Sequence, residues 1–284
     1  MSTTTLTSHA ATSPRGHSAA DGARLTFGRV LNSEWLKFRT LRSTVWTLAL
    51  TVVLMVGFSL LFAIGVRSAD GEIPGVTGAT VVTGGYFFGQ LTLAVLGVLV
   101  ISGEYTTGMI RSTLAAVPTR LPALWAKALV LAVTAFVVGV VSVALSYVAT
   151  RAILAPFDLV PDLANSEDLR IMLGSAAYLS AISLLAFAFG ALLRHSAAAL
   201  AAVLGLLLVV ENVFRIPLTF FQEVSPFLPS TAGAQIMMPQ EALDVVAQTA
   251  VGTVLDPWQG FAVLLAYVVV LLALAATLLK KRDA

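Results

Sequence analysis

The sequence gathers its unusual polar chemistry in one stretch, Gly103 to Arg120, between two long apolar runs. A carboxylate (Glu104), a phenol (Tyr105) and two guanidiniums (Arg111 and Arg120) lie there beside Met109, Ile110, Thr113, Leu114 and Val117, which recur at helical spacing. Gly108 precedes that apolar set and Pro118 ends it, which predicts a short amphipathic helix of about nine residues, roughly 14 Å long. Such a helix is too short to cross lipid and too apolar on one face to stand free in water. It needs a partner surface. Glu104 could cap the amides of Thr106 or Thr107, or accept a charge-assisted hydrogen bond from a basic partner residue. Arg111 and Arg120 could anchor the stretch at a membrane surface or contact the same partner.

Groupings that would make the chain a catalyst by itself are missing. The sequence has no GxxxxGK[ST] phosphate loop, no HExxH and no GxSxG, and no pair of carboxylates inside its apolar runs. It has no cysteine, which excludes thiolate metal sites and disulfides, and its three histidines do not cluster. Polar residues at membrane depth are few. Gln90 could meet a substrate or bond a neighbouring helix, the second being the usual role. Glu211 precedes Arg215 by four residues, the favourable order for an ion pair along a helix. Gly85 and Gly89 form one small-xxx-small pair, which serves helix packing or subunit contact equally well.

The elements that carry these residues are membrane spans. Of the 284 residues 58% are hydrophobic and 11% charged, less than half the charge of an ordinary soluble domain. Six apolar stretches of about the length a bilayer needs lie near 45–66, 81–101, 128–150, 171–193, 197–213 and 260–279. The net charge of +2 does not suggest nucleic acid, because the basic residues sort by side. With the amino terminus inside, thirteen of the 17 Lys and Arg fall on the cytoplasmic side, which puts both termini and the Gly103–Arg120 stretch there. The outer segments carry acidic residues and read as ordinary solvated loops. Residues 1–22 read as a disordered tail, and the rest as one membrane domain.

Before the first span, Phe27, Leu31, Trp35, Phe38 and Val45 form an apolar, aromatic-rich face, with Arg29, Ser33, Lys37 and Thr40 largely opposite. This predicts an in-plane helix in the headgroup layer rather than a simple start to the span, with Trp35, Lys37, Phe38 and Arg39 at the interface. Between the fifth and sixth spans, Ile216, Phe220, Phe221 and Phe227 are too apolar for a solvated loop and predict short helices dipping back against the bundle. Glu241 to Thr249 predicts a further short helix, and Asp256-Pro257-Trp258 a capped start to the last span.

Three segments resemble the permease subunits of the second type of ATP-binding-cassette (ABC) exporter, in the bacterial branch of drug and antibiotic-resistance systems. They are Ser33-Glu34-Trp35-Leu36-Lys37-Phe38-Arg39 with Arg42; Glu104-Tyr105-Thr106-Thr107-Gly108-Met109-Ile110-Arg111 with Leu114, Pro118 and Arg120; and Pro226-Phe227-Leu228-Pro229 with Ala232-Gly233. The middle segment is the most specific; Met109 stands where Thr is more usual. The resemblance covers Leu25 to the end. It implies an all-α, six-span permease in the cell membrane that pairs with a second permease subunit and with separate ABC ATPase subunits, which bind the ATP. The stretch after the second span would then be the coupling helix, with Glu104, Tyr105, Gly108, Ile110, Arg111, Leu114, Val117, Pro118 and Arg120 as its docking residues. Two other readings compete: a polytopic membrane enzyme acting on lipids or peptides, and a non-transporting scaffold or sensor subunit.

Overall fold

The computed structural model describes residues 26–106, 108, 121–249 and 252–282, and among these it is all helical. Six helices are long and apolar enough to cross a membrane, at Arg42–Ser68, Gly78–Thr106, Leu121–Phe157, Ser166–Leu193, Ser196–Val213 and Pro257–Lys281. All six predicted spans are present, and the chain is a multi-pass helical membrane protein. The expected coupling helix, with Ile110, Arg111, Leu114, Val117, Pro118 and Arg120, lies outside the described residues.

Helix α1 (Phe27–Thr40) is separate from α2 (Arg42–Ser68), the first span. Leu41 between them is extended, with ψ 114°, so the ladder is interrupted and α1 is not the first turns of the span. The predicted apolar face is divided between the outside and the bundle. Val30, Glu34 and Phe38, at intervals of four, bury against the bundle, while Phe27 and Trp35 are exposed. The charge of Glu34 hid this face from a hydrophobicity pattern.

The second span starts earlier than its apolar run suggests. A reciprocal Thr77/Thr80 capping box opens α3 (Gly78–Thr83), and Gly84 and Gly85 then break the helix before α4 (Tyr86–Thr106). A Cβ at Gly85 would stand 2.2 Å from the Met55 carbonyl oxygen, and one at Gly89 2.8 Å from the Met55 sulfur. The small-xxx-small pair therefore serves contact within the chain, letting α4 approach α2 closely.

The third span, α5 (Leu121–Leu154), would be about 51 Å long at 1.5 Å per residue, well beyond a hydrocarbon core of about 30 Å. Part of it therefore projects past the core. The fourth, α6 (Ser166–Leu193), is the central helix, packed on α4, α5 and the last span through small residues. Its membrane window is 61% buried against 22% for the fifth span. Arg194 takes the left-handed conformation (φ 53°) to close α6, and His195 caps α7 (Ser196–Leu204), giving the predicted tight hairpin.

Beyond α7 the fifth span widens into a π-helical turn at Gly205–Val210. Its buried stripe, Ala199, Val203, Leu207 and Glu211, recurs every four residues. A strict 3.6-residue helix would rotate that stripe off one face, and the wider turn takes up the drift.

Short helices follow: α8 (Thr219–Val224), α9 (Pro229–Ala234) and α10 (Gln240–Thr249). Re-entry against the bundle is present, but mainly through other residues than predicted; of the four expected, only Phe221 is partly buried. Ala232, Ile236 and Met237 are buried, whereas Ile216, Phe220 and Phe227 are exposed. The smaller residues fit closely beside α6 and the last span, α11 (Pro257–Arg282). The four tryptophans lie near span ends, with Trp35, Trp46 and Trp125 toward one end of the bundle and Trp258 toward the other, as interfacial belts require.

Candidate functional site

The stem of the Gly103–Arg120 stretch is held by a cluster of four charges from three elements. Glu104 ends the second span, Lys127 sits in the second turn of α5, and Glu34 and Lys37 lie one turn apart on α1. The Lys127 ammonium donates to Glu34 Oε2 and, at 2.6 Å, to Glu104 Oε1. Lys37 Nζ donates to Glu34 Oε1 at 2.9 Å and stands 3.6 Å from Glu104 Oε1. Glu34, Glu104 and Lys127 are each at most 5% exposed. The two ammoniums and two carboxylates balance, which is the condition for burying such groups at all. Glu104 Oε2 is the exception, buried without a hydrogen-bond partner among the described residues.

Lys37 is the half-exposed member. Burial by itself would lower the pKa of its ammonium, but the hydrogen bond and charge of Glu34, with help from Glu104, outweigh that and hold it above the ordinary value of 10.5.

Two other stem residues are placed. Tyr105 lies under the guanidinium of Arg194, whose Cζ is 5.3 Å from the ring centroid, a cation–π contact that ties the stem to the α6–α7 hairpin. Gly108 is left-handed, with φ 72°, and its N–H donates to the Tyr105 carbonyl at 3.3 Å. It closes the second span in the manner of a helix-terminating glycine.

The structure thus brings Glu104 together with Lys37, both named from the sequence, and adds Glu34 and Lys127. Glu104 was expected either to cap nearby amides or to bond a partner's cation; its Oε1 meets two cations of its own chain. In the sequence Lys127 is one of the thirteen basic residues on the predicted cytoplasmic side, and Glu34 is part of the Ser33–Arg39 segment. The available signal was a lysine in the mostly apolar run Leu121–Leu131 and a Glu–Lys pair at helical spacing on α1. Of the expected interface residues, Trp35 and Arg39 are exposed, whereas Phe38 faces the bundle.

No family profile matches the sequence, and no curated protein matches it.

A second polar assembly lies at the opposite end of the bundle. Gln90 accepts a hydrogen bond from the Tyr178 hydroxyl, which also shares one of 2.8 Å with Ser230 Oγ. Gln90 is therefore an interhelical tie between the second and fourth spans. Glu211 does not pair with Arg215, which is exposed. It turns into the bundle and caps α9, accepting from Ser230 N–H at 2.7 Å and Thr231 Oγ1 at 3.1 Å. Arg170 grips the other end of the re-entrant segment, donating at 2.9 Å to each of the Ile236 and Met238 carbonyls. Short helices leave unpaired amides at one end and unpaired carbonyls at the other, and a carboxylate and a guanidinium satisfy them here. Among the described residues, no three His, Asp or Glu side chains converge as a metal site would need.

Proposed function

We propose that the chain is the permease subunit of an ATP-driven exporter, with separate ABC ATPase subunits and a second permease subunit as its partners. ATP is bound and hydrolysed by the ATPase, and both termini of this chain lie in the cytoplasm. The carrying observation is the buried charge cluster at the root of the Gly103–Arg120 stretch. A force applied to that stretch passes first to Glu104, then through Lys127 to α5 and through Glu34 to α1. Three elements can then shift together, which is what a coupling element requires. ATP-driven closure of the ATPase dimer would bias the bundle between two accessible states, provided the states differ in ATP affinity. The spans carry few polar side chains, which suits a hydrophobic or amphiphilic cargo.

The experiment is purification in mild detergent, followed by vesicle transport with the copurified ATPase. Wild type should retain a phosphate-loop ATPase, and Arg111→Glu should lose that ATPase or its coupling while the permease stays folded. Full coupling in Arg111→Glu would overturn the docking assignment. Transport by the chain without any ATPase would overturn the permease reading.

A further inference from the structure

On the flank of α1 away from the charge cluster runs an apolar cleft of 370 Å³. Leu31 and Trp35 of α1 form one wall, and Leu129, Val130 and Val133 of α5 form the other. Among the described residues Asn32 is the one amide or charged side chain that lines it, and Gly28 leaves its floor open. Leu129, Val133 and Trp35 are 45%, 53% and 44% exposed, so the cleft opens outward along a membrane span rather than into the protein core. Trp35 lines it and Trp125 lies one turn before Leu129 on α5, which sets it at interfacial depth.

The lining stripe on α1, residues 28, 31, 32 and 35, continues at the same helical phase to Arg39, one turn on. Arg39 is exposed and has no ion pair among the described residues. An apolar trough with an exposed guanidinium one turn beyond it complements a molecule with a hydrocarbon tail and an anionic head. We infer that the cleft holds one acyl chain of an anionic phospholipid from the surrounding bilayer, with its phosphate at Arg39. The two helices that wall the cleft also carry Glu34 and Lys127 on another face, each within one turn of a lining residue, so a seated chain braces the helices that hold the cluster. The inference goes beyond the permease reading and holds whether or not an ATPase docks.

The test is native mass spectrometry of the full chain, reconstituted in vesicles of equimolar phosphatidylcholine and phosphatidylglycerol and then extracted in mild detergent. Wild type should retain one phosphatidylglycerol, with a roughly fivefold preference over phosphatidylcholine, the scale of one arginine beside an anionic lipid surface. Gly28→Leu projects a side chain into the cleft from a position where a Cβ meets nothing within 4 Å. It should lose the retained lipid of either kind. Arg39→Gln should keep one lipid and lose the preference. Should Gly28→Leu not fold, Val133→Trp occupies the same space from the exposed wall and gives the same reading. Equal retention of both lipids by wild type overturns the anionic assignment, and unchanged retention in the filled variant overturns the site.

Discussion

Replacing Lys127 by methionine removes one cation from a neutral cluster and leaves Glu34 and Glu104, 5% and 4% exposed, with Lys37 alone between them. The nearest remaining contact of Glu104 Oε1 would be 3.6 Å, in place of 2.6 Å. Removing one partner of a buried ion pair costs about 3–5 kcal/mol, because the surviving charge keeps its desolvation penalty without its compensation. Lys37 is 37% exposed on its side chain and can swing toward Glu104, which argues for the lower end, about 3 kcal/mol. The triple variant Glu34→Gln, Lys127→Met, Glu104→Gln removes the buried charges together and should recover most of the loss. Trp35 and Trp125 lie close to the cluster in sequence, so equilibrium unfolding in mixed micelles can be followed by their fluorescence. A Lys127→Met cost below about 1 kcal/mol would mean that the cluster is solvated and would refute its treatment as buried. A triple variant as unstable as the single one would show that hydrogen-bond geometry, rather than charge balance, holds the three elements.

The raised pKa of Lys37 means that the folded state binds its proton more tightly than the unfolded state. Its contribution is therefore complete below pH 10.5 and falls as pH rises through the higher folded value; the melting-temperature gap between wild type and Lys37→Gln should be flat from pH 7 to 10 and narrow beyond. At the other end of the bundle, Glu211→Ala should strand the Ser230 amide at a cost of about 1–3 kcal/mol, while Glu211→Gln keeps an acceptor and costs less. The chain has no native cysteine, so a cysteine placed at the fully buried Ala232 should react with maleimide only when Glu211→Ala or Arg170→Ala has loosened the segment. Gly85→Ala should destabilise by roughly 1–3 kcal/mol, since its Cβ meets the Met55 backbone, whereas Gly57→Ala, with open space around it, should be neutral or stabilising by up to about 1 kcal/mol. Thermal melts of the two variants side by side would show whether that crossing is as tight as the geometry requires.

The number and places of the spans were legible because each depends on a local property, a run of apolar residues as long as a bilayer is thick. The α6–α7 hairpin, the helix at Gln240–Thr249 and the start of α11 at Pro257 were legible for the same reason: turn and capping chemistry acts over a few residues. Even the separateness of α1 followed from its charge pattern. Which face each helix buries did not. Hydrophobicity assigned α1 an aromatic face for the headgroup layer, where Phe27 and Trp35 are exposed, but it did not show that Val30, Glu34 and Phe38 form the bundle face, because a carboxylate interrupts that stripe. Hydrophobicity also placed dipping contacts at Ile216, Phe220 and Phe227, yet in a membrane apolar faces can meet lipid, and the small Ala232 and Gly233 and the flexible Met237 fitted the space. Charged partners were the least legible. Glu211 and Arg215 are four residues apart in sequence, but a π-helical turn rotates Glu211 toward Ser230, and no local pattern encodes that rotation. Lys127 looked like one of many basic residues near a membrane surface. Only the packing of α1 against α5, beside the end of the second span, makes it the cation shared by two carboxylates 93 and 23 residues away. The sequence determined which residues could cross a bilayer. The tertiary structure decided which charges could be buried, because burial is stable only where distant elements bring the opposite charge to meet it.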